Sequence, residues 1–305
     1  MRITLHNHQD KGRALARAIS SQGHNVVPTN PDLLLIDHDG PEYYRSIINL
    51  VEPLGVPVWL YSHGAMSCMA WDGWWESHPH TGGYLAVGEG NKEIMTRYGY
   101  DREVRVIGWY WCGQMPQTQT TPHRVLFAPI HPLGNGFMRP EAREANRRAY
   151  AELLEQNIML TVRHIGSLGA NGLWPVPGVR YEQGRPDNSI VSIDKADVVV
   201  SWGTFAFLAI ARGRPTVMYG QDVVPGDGHN ADDMRYVQSW SKYRDILRYP
   251  LELFDSGPTA DILKAAAAGQ IDITDWRARF IGEQLNPEKL CKILEEVVSG
   301  ARIHV

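Results

Sequence analysis

Short runs of β-branched and aliphatic residues alternate along the chain with longer stretches whose apolar positions recur at helical spacing. That rhythm predicts βαβ units built on parallel sheet. In the first part, strands are predicted over 2–5, 25–27, 33–37, 56–61, 84–87 and 104–107, with helices over 12–22, 42–54 and 91–98. Gly23 and Gly55 stand where the first two of these helices should end, as a residue free to adopt positive φ does. Residues 113–122 (GQMPQTQTTP) then break the pattern: polar, with two prolines and no period, they are the best linker candidate. The alternation restarts beyond them. Strands are predicted at 124–128, 158–163, 179–182, 197–201 and 215–219, and helices at 141–155, 189–196 and 205–212. A helical tail follows over 232–248, 260–268, 273–283 and 287–298.

The expected architecture is therefore α/β, with two Rossmann-like domains facing each other across a cleft. Residues 1–112 form the first, 113–122 the linker, and 123–305 the second with its helical tail. Ligands in such folds gather outside the carboxyl ends of the strands, so the informative residues should lie just after strands.

Composition narrows the classes. With 30 Lys+Arg against 34 Asp+Glu the formal charge is −4, which excludes a surface that is basic throughout and so generalised binding to nucleic acid or anionic membrane. A local basic groove stays open. Three separated cysteines, Cys68, Cys112 and Cys291, argue against a disulfide framework or zinc knuckle. No apolar run is long enough to span a bilayer and no leader pattern is visible, so a cytoplasmic protein without a membrane span is expected. The 10 Trp and 13 Tyr outnumber 6 Phe, an excess of rings with polar edges that suit pocket walls as well as cores.

The most specific segment runs from Ile193 to Gly220: Asp197, an apolar strand ending at Ser201, a small-residue turn at Gly203-Thr204, an apolar helix, Gly213-Arg-Pro215 and a second apolar strand. A strand feeding a helix through such a turn presents backbone N–H groups and a positive helix end to an anion, with the Ser201 and Thr204 hydroxyls at hand. Thr204 as a plain helix cap is the competing explanation. The segment resembles the carboxyl-terminal domain of GT-B-type glycosyltransferases. Within that superfamily it is most similar to CDP-glycerol glycerophosphotransferases and non-hydrolysing UDP-N-acetylglucosamine 2-epimerases. Val125-Leu-Phe-Ala-Pro129, Leu160-Thr-Val-Arg-His164, Trp59-Leu-Tyr-Ser-His-Gly64 and Val106-Ile-Gly-Trp109 resemble further family strands, in the right order. The likeness implies a glycosyltransferase that takes a sugar from a nucleotide-activated donor, of UDP type, as a substrate and needs no cofactor or metal. The acceptor is left open among DNA, glycan and small molecule, and so is the oligomeric state. An epimerase or polyol-phosphate transferase on the same fold, and a non-catalytic nucleotide-binding protein, are the alternatives.

On that resemblance Arg163, His164, Ser201, Gly203 and Thr204 hold the donor diphosphate. His63, following a predicted strand, takes a proton from the acceptor, since imidazole titrates near working pH. A histidine that only fixes the turn is the alternative. His8 and Lys11 in the first βα loop, and Trp71, Trp74 and Trp75 as stacking platforms, are the acceptor or cleft residues; a hydrophobic plug over the sheet explains the tryptophans as well. One departure stands out: Leu208 occupies the place of the family glutamate that meets the ribose.

Other chemistries fit less well. Asp37-His-Asp39 resembles the Asp-x-Asp metal motif of GT-A glycosyltransferases, but aspartates commonly end strands, and a second Rossmann-like domain is foreign to that class. His6-x-His8 and His78-x-His80 lack further ligands nearby. Gly88-Glu-Gly90 follows a strand but lacks the third glycine of a dinucleotide fingerprint, and no P-loop or nucleophile elbow is present. Arg139, Arg143, Arg147 and Arg148, interleaved with Glu141 and Glu144, read best as one solvated helix face.

Overall fold

The continuous apolar strands build two parallel sheets. In this computed structural model, residues 1–6, 10–37, 42–61, 82–97, 100–110, 121–130, 140–185, 188–219 and 257–301 are described. Strands β1 (Arg2–His6), β2 (Asn25–Val26), β3 (Leu33–Ile36), β4 (Val58–Tyr61), β5 (Gly83–Ala86) and β6 (Glu103–Val106) form one sheet in the order β2-β1-β3-β4-β5-β6. Strands β7 (Arg124–Ala128), β8 (Met159–His164), β9 (Arg180–Gln183), β10 (Val198–Ser201) and β11 (Thr216–Met218) form the other, ordered β11-β10-β7-β8-β9. Every pairing is parallel. Runs such as Leu33–Ile36 and Val198–Ser201 are buried along their whole length, as strands covered on both faces must be.

The helices are α1 (Asp10–Ser21), α2 (Glu42–Val51), α3 (Glu89–Arg97), α4 (Pro140–Leu154), α5 (Ser189–Lys195), α6 (Gly203–Ala211), α7 (Ala260–Ala267), α8 (Thr274–Phe280) and α9 (Pro287–Ala301). Where the sequence predicts one helix to residue 54, Pro53 ends α2 at Val51 and a single tight turn follows to Leu54. The predicted helix 273–283 is shorter, stopping at Phe280 before Gly282, whose φ is +65°. The helix predicted at 232–248 lies outside the described residues.

The chain divides into two units, Met1–Cys112 with Ala278–Val305, and Gly113–Arg277. The sequence reading assigns the whole tail to the second domain; the structure keeps its earlier part there and places Ala278–Val305 with the first unit. Helix α9 has Pro287 in its first turn and Asn286 Oδ1 accepting the Lys289 N–H at 3.1 Å, a regular amino-terminal cap. It buries Leu290, Cys291, Leu294 and Val298 and packs on α1, and beyond the end of α1 His24 Nε2 lies 3.1 Å from the Glu295 carboxylate. Periodicity shows that such a helix has a core-facing stripe but not which core receives it.

The return is seated by glycines. A Cβ on Gly88 would lie 2.6 Å from the Arg279 carbonyl oxygen, and one on Gly90 2.6 Å from the Phe280 ring. Gly108, at φ +90°, lets Trp109 meet the returning strand: Trp109 N–H donates to Glu283 O at 2.8 Å and Leu285 N–H to Trp109 O at 2.9 Å. Arg279 and Glu93 pair beside them. The Gly88-Glu-Gly90 triplet thus serves close packing of chain on chain.

Candidate functional site

A parallel sheet opens a crevice where neighbouring strands send their connections in opposite directions, and ligands bind outside the carboxyl ends there. In the second sheet that point falls between β7 and β10, where Ser201 pairs in register with Ala128 on one side and Met218 on the other. From Ser201 the chain turns through Trp202, in extended conformation, into α6.

Helix α6 starts at Gly203, two residues before the predicted start, and Gly203 takes φ +60°, which a residue with a Cβ resists. Thr204 therefore lies inside the first turn; Trp202 occupies the cap position, and its side chain makes no capping bond. Among the described residues no atom lies within 4 Å of where a Gly203 Cβ would point. From Ala206 to Ala211 every residue is buried. A helix buried all round offers ligands only its end. Its N–H groups and positive dipole end suit an anion. Leu208, also buried, gives this helix no group for a ribose hydroxyl.

The Ser201 hydroxyl is engaged, donating to the Ala128 carbonyl at 3.1 Å and tying β10 to β7. Arg163, near the end of β8, is 6% exposed. Its Nη2 donates to Arg185 O (2.6 Å), Asn188 Oδ1 (3.0 Å) and Ser189 Oγ (2.7 Å), and its guanidinium lies 4.7 Å over the Phe205 ring in the first part of α6. Glu182 stands at 4.0 Å from its Nε. Gly184 leaves the room this needs, since a Cβ there would come within 2.7 Å of Arg163 Nη1. Arg163 thus binds the 185–189 turn to the strand and brings a buried positive charge up to α6. His164 Nδ1 lies 2.8 Å from the Gly166 carbonyl, which can only accept, so Nδ1 carries the proton and Nε2 is left for a ligand.

Asp197, part of the family-like segment, stands at the opposite, amino end of β10. Its carboxylate accepts from the Arg124 guanidinium at 2.6 Å and from the N–H groups of His123 and Arg124 at 3.0 and 2.8 Å. Burial alone would raise its pKa; the Arg124 side-chain bond, the two backbone bonds and the Arg124 charge outweigh it and hold the carboxyl below its ordinary value. It is a staple at the start of two strands.

Sequence reasoning missed the polar cluster at the carboxyl edge. Asn146 of α4 is fully buried. Its Oδ1 accepts from Tyr219 OH (2.8 Å) and Ile130 N–H (3.0 Å), while Nδ2 donates to the carbonyls of Ile130 and Asn171 (both 2.8 Å). Tyr219 OH in turn accepts from the Ile130 N–H at 2.8 Å. Asn171 Nδ2 donates to Ile165 O and Ser167 O, both at 2.7 Å. Burial pushes the Tyr219 phenol well above its usual pKa, with the Ile130 bond acting against it, so it stays a neutral donor. A signal existed: Asn146 interrupts the stripe Ala142, Ala145, Ala149, Tyr150, Leu153, all buried.

In the first unit, Asp37 follows β3 and is buried, as is Tyr61 at the end of β4. Burial first, then Tyr61, Tyr84 and Asp37, raise the pKa of Tyr110. Lys11 falls in α1, but nothing is described of its side chain, nor of that of Thr204. His8, His63, Trp71, Trp74, Trp75, His78, His80 and Asp39 lie outside the described residues, as does Arg139. Arg143 packs its side chain across Gly172, and Arg147 pairs with Glu144 at 3.9 Å on the exposed face. Among the described residues no three or more His, Cys, Asp or Glu side chains form a metal-binding group, and no helix is long and apolar enough to cross a membrane.

No protein-family model matches the chain, and no curated protein sequence does. Solved structures do match. The wall teichoic acid polymerase TagF superposes with a TM-score of 0.56 at 13% identity, over 98% of this chain and 89% of that one. MnaA of S. aureus, solved with UDP, gives 0.54 at 9% identity over 98% and 96%. The chain has the GT-B fold. The UDP-GlcNAc 2-epimerase from Neisseria meningitidis, bound to UDP-GlcNAc, adds a TM-score of 0.52 at 12% identity, over 97% of this chain and all of that one. In this GT-B chain the resemblance seen in the sequence thus extends to both sheets.

Proposed function

We propose that the protein is a glycosyltransferase that draws a sugar from a nucleoside-diphosphate donor, of UDP type, held at the amino end of α6. One observation carries this reading: the amino end of a helix buried from Ala206 to Ala211, uncapped by Trp202, meets no described atom within 4 Å of a Gly203 Cβ, at the topological switch point of its sheet. Backbone N–H groups of the first turn meet the diphosphate, as do the Thr204 hydroxyl and His164 Nε2. Buried Arg163 adds positive potential through its place against Phe205, where fixed charge stabilises a departing diphosphate. Ser201 contributes by fixing the strand end. The acceptor belongs to the first unit: His63, two residues beyond β4, takes the acceptor hydroxyl proton as the bond to the diphosphate breaks. His8, Lys11, Trp71, Trp74 and Trp75 are its proposed surroundings. UDP and UDP-GlcNAc, named with two of the matching structures, favour a uridine donor. Cytoplasmic location and transfer without a metal belong to the same proposal.

Leu208 supports a second reading, a nucleotide-binding protein without turnover, because α6 offers no ribose ligand. Thermal shift with UDP, GDP, CDP, TDP and ADP separates the two. A nucleotide at 100 times its Kd stabilises the fold by about 2.7 kcal/mol. A shift with UDP, followed by donor hydrolysis or transfer, is expected. No shift with any nucleotide overturns the donor site; a shift without turnover selects the silent binder. His63→Ala with full turnover removes that residue from the chemistry.

A further inference from the structure

The cluster around Asn146 gathers the connections that leave β7, β8 and β11 at the carboxyl edge. Ile130 lies two residues beyond β7, Tyr219 one beyond β11, and Asn171 in the connection after β8. A primary amide offers two donors and two acceptor lone pairs, and Asn146 uses all four: on Tyr219 OH, Ile130 N–H, Ile130 O and Asn171 O. Asn171 repeats the device one step outward, holding Ile165 and Ser167 on either side of Gly166, the carbonyl that orients His164. Tyr219 also packs its ring on Phe127 at 5.5 Å. Ser201 sits in register between Ala128 and Met218, hence between the strands whose exits Tyr219 and Asn146 tie together.

A buried polar group of this kind is costly unless every bond is made, and apolar residues of the same volume would hold the core at least as well. What apolar packing does not do is fix backbone at hydrogen-bond precision. We propose that Asn146 and Tyr219 are positioning residues: together they hold the exits of β7, β8 and β11 in one arrangement around the end of α6, so that the site meets a nucleoside diphosphate already formed. This rests on the reading of that helix end as the donor site.

The test is Tyr219→Phe, which keeps the ring against Phe127 and removes the hydroxyl that Ile130 N–H and Asn146 share. Phe127→Leu is the control: it loosens the same packing and leaves the hydrogen bonds in place. UDP affinity is measured by calorimetry, stability by urea unfolding, and protection of the Ile130 amide by hydrogen exchange. Expected for Tyr219→Phe are a loss of up to about tenfold in UDP affinity, the worth of one hydrogen bond, and faster exchange at Ile130. Phe127→Leu is expected to lose stability but keep UDP affinity within about twofold. Wild-type affinity in Tyr219→Phe overturns the positioning role and leaves the donor site standing. Equal affinity losses in both variants also overturn it, because packing then suffices. Failure of the wild type to bind UDP or any other nucleoside diphosphate overturns the donor site, and the positioning role with it.

Discussion

Replacing Gly88 by alanine should unseat the returning segment of the first unit. The added Cβ would lie 2.6 Å from Arg279 O, 2.7 Å from Phe280 O and 2.8 Å from the Phe280 carbonyl carbon. Ordinary carbon–oxygen approach is about 3.3 Å or more, so the 279–280 backbone must retreat by roughly 0.6–0.7 Å. It cannot do so freely, since Phe280 and Ile281 are fully buried. Overpacking of this order costs about 1–3 kcal/mol. Alanine would return about 0.4–1 kcal/mol through the unfolded chain, but Gly88 also stands at the start of α3, its carbonyl accepting from Asn91 and Lys92, where glycine is a better cap than alanine. A net loss of about 1–2 kcal/mol follows. Urea unfolding read by tryptophan fluorescence gives the loss, and hydrogen exchange locates it: the Leu285 amide, bonded to Trp109 O, should exchange faster. Gly169→Ala is the control, with nothing within 4 Å of its Cβ and an expected change within about 0.5 kcal/mol. The opposing idea, a nucleotide-binding loop at Gly88-Glu-Gly90, expects unchanged stability and weakened UDP binding. An unchanged midpoint with unchanged Leu285 exchange would refute the packing argument.

Other consequences test the second unit. Asp197→Asn should cost about 1.5–3 kcal/mol near neutral pH, the range for hydrogen bonds to charged groups. Because folding depresses this carboxyl's pKa, the wild-type advantage is complete above about pH 4, the ordinary carboxyl value, and fades as pH falls through the lower folded value; urea midpoints at neutral and acid pH should converge for the two proteins. Ser201→Ala should lose about 1 kcal/mol with its bond to Ala128 and keep its UDP affinity, whereas a large affinity loss would make Ser201 a direct ligand. Gly203→Ala should do the reverse in emphasis: about 1–2 kcal/mol of backbone strain at φ +60°, and a UDP titration weakened beyond what that strain accounts for, since the methyl enters the proposed site.

The strands were legible because a parallel strand buried on both faces must be largely apolar, and 33–36, 198–200 and 217–218 are wholly so. Their order was not. Nothing in the spacing of β8 and β10 says that they flank β7 on opposite sides, yet this places the switch point. Helix ends were legible where glycine or proline marked them and failed at α6, where Gly203 reads as a turn but is the first residue of the helix. The tail failed for a different reason. The stripe on α9 meets α1, and the glycines at 88, 90 and 108 meet residues 279–284; each of these features alone has an ordinary explanation.

The same logic governs the site. Ser201, Arg163 and Asp197 stand out in the sequence as polar residues at strand ends, and each proves to be spent on holding the fold: a strand tie, a turn anchor, a staple. Beside the Thr204 hydroxyl and His164, what the proposed site offers a ligand is backbone, and backbone carries no residue-type signal beyond the glycine that exposes it. Residue type did mark the support beneath. Asn146 is a polar residue in the middle of an apolar stripe, and only a set of carbonyls and N–H groups converging on it makes such a residue affordable. In a site whose contacts are mostly main chain, the buried amide that holds the main chain still is the more informative residue to look for.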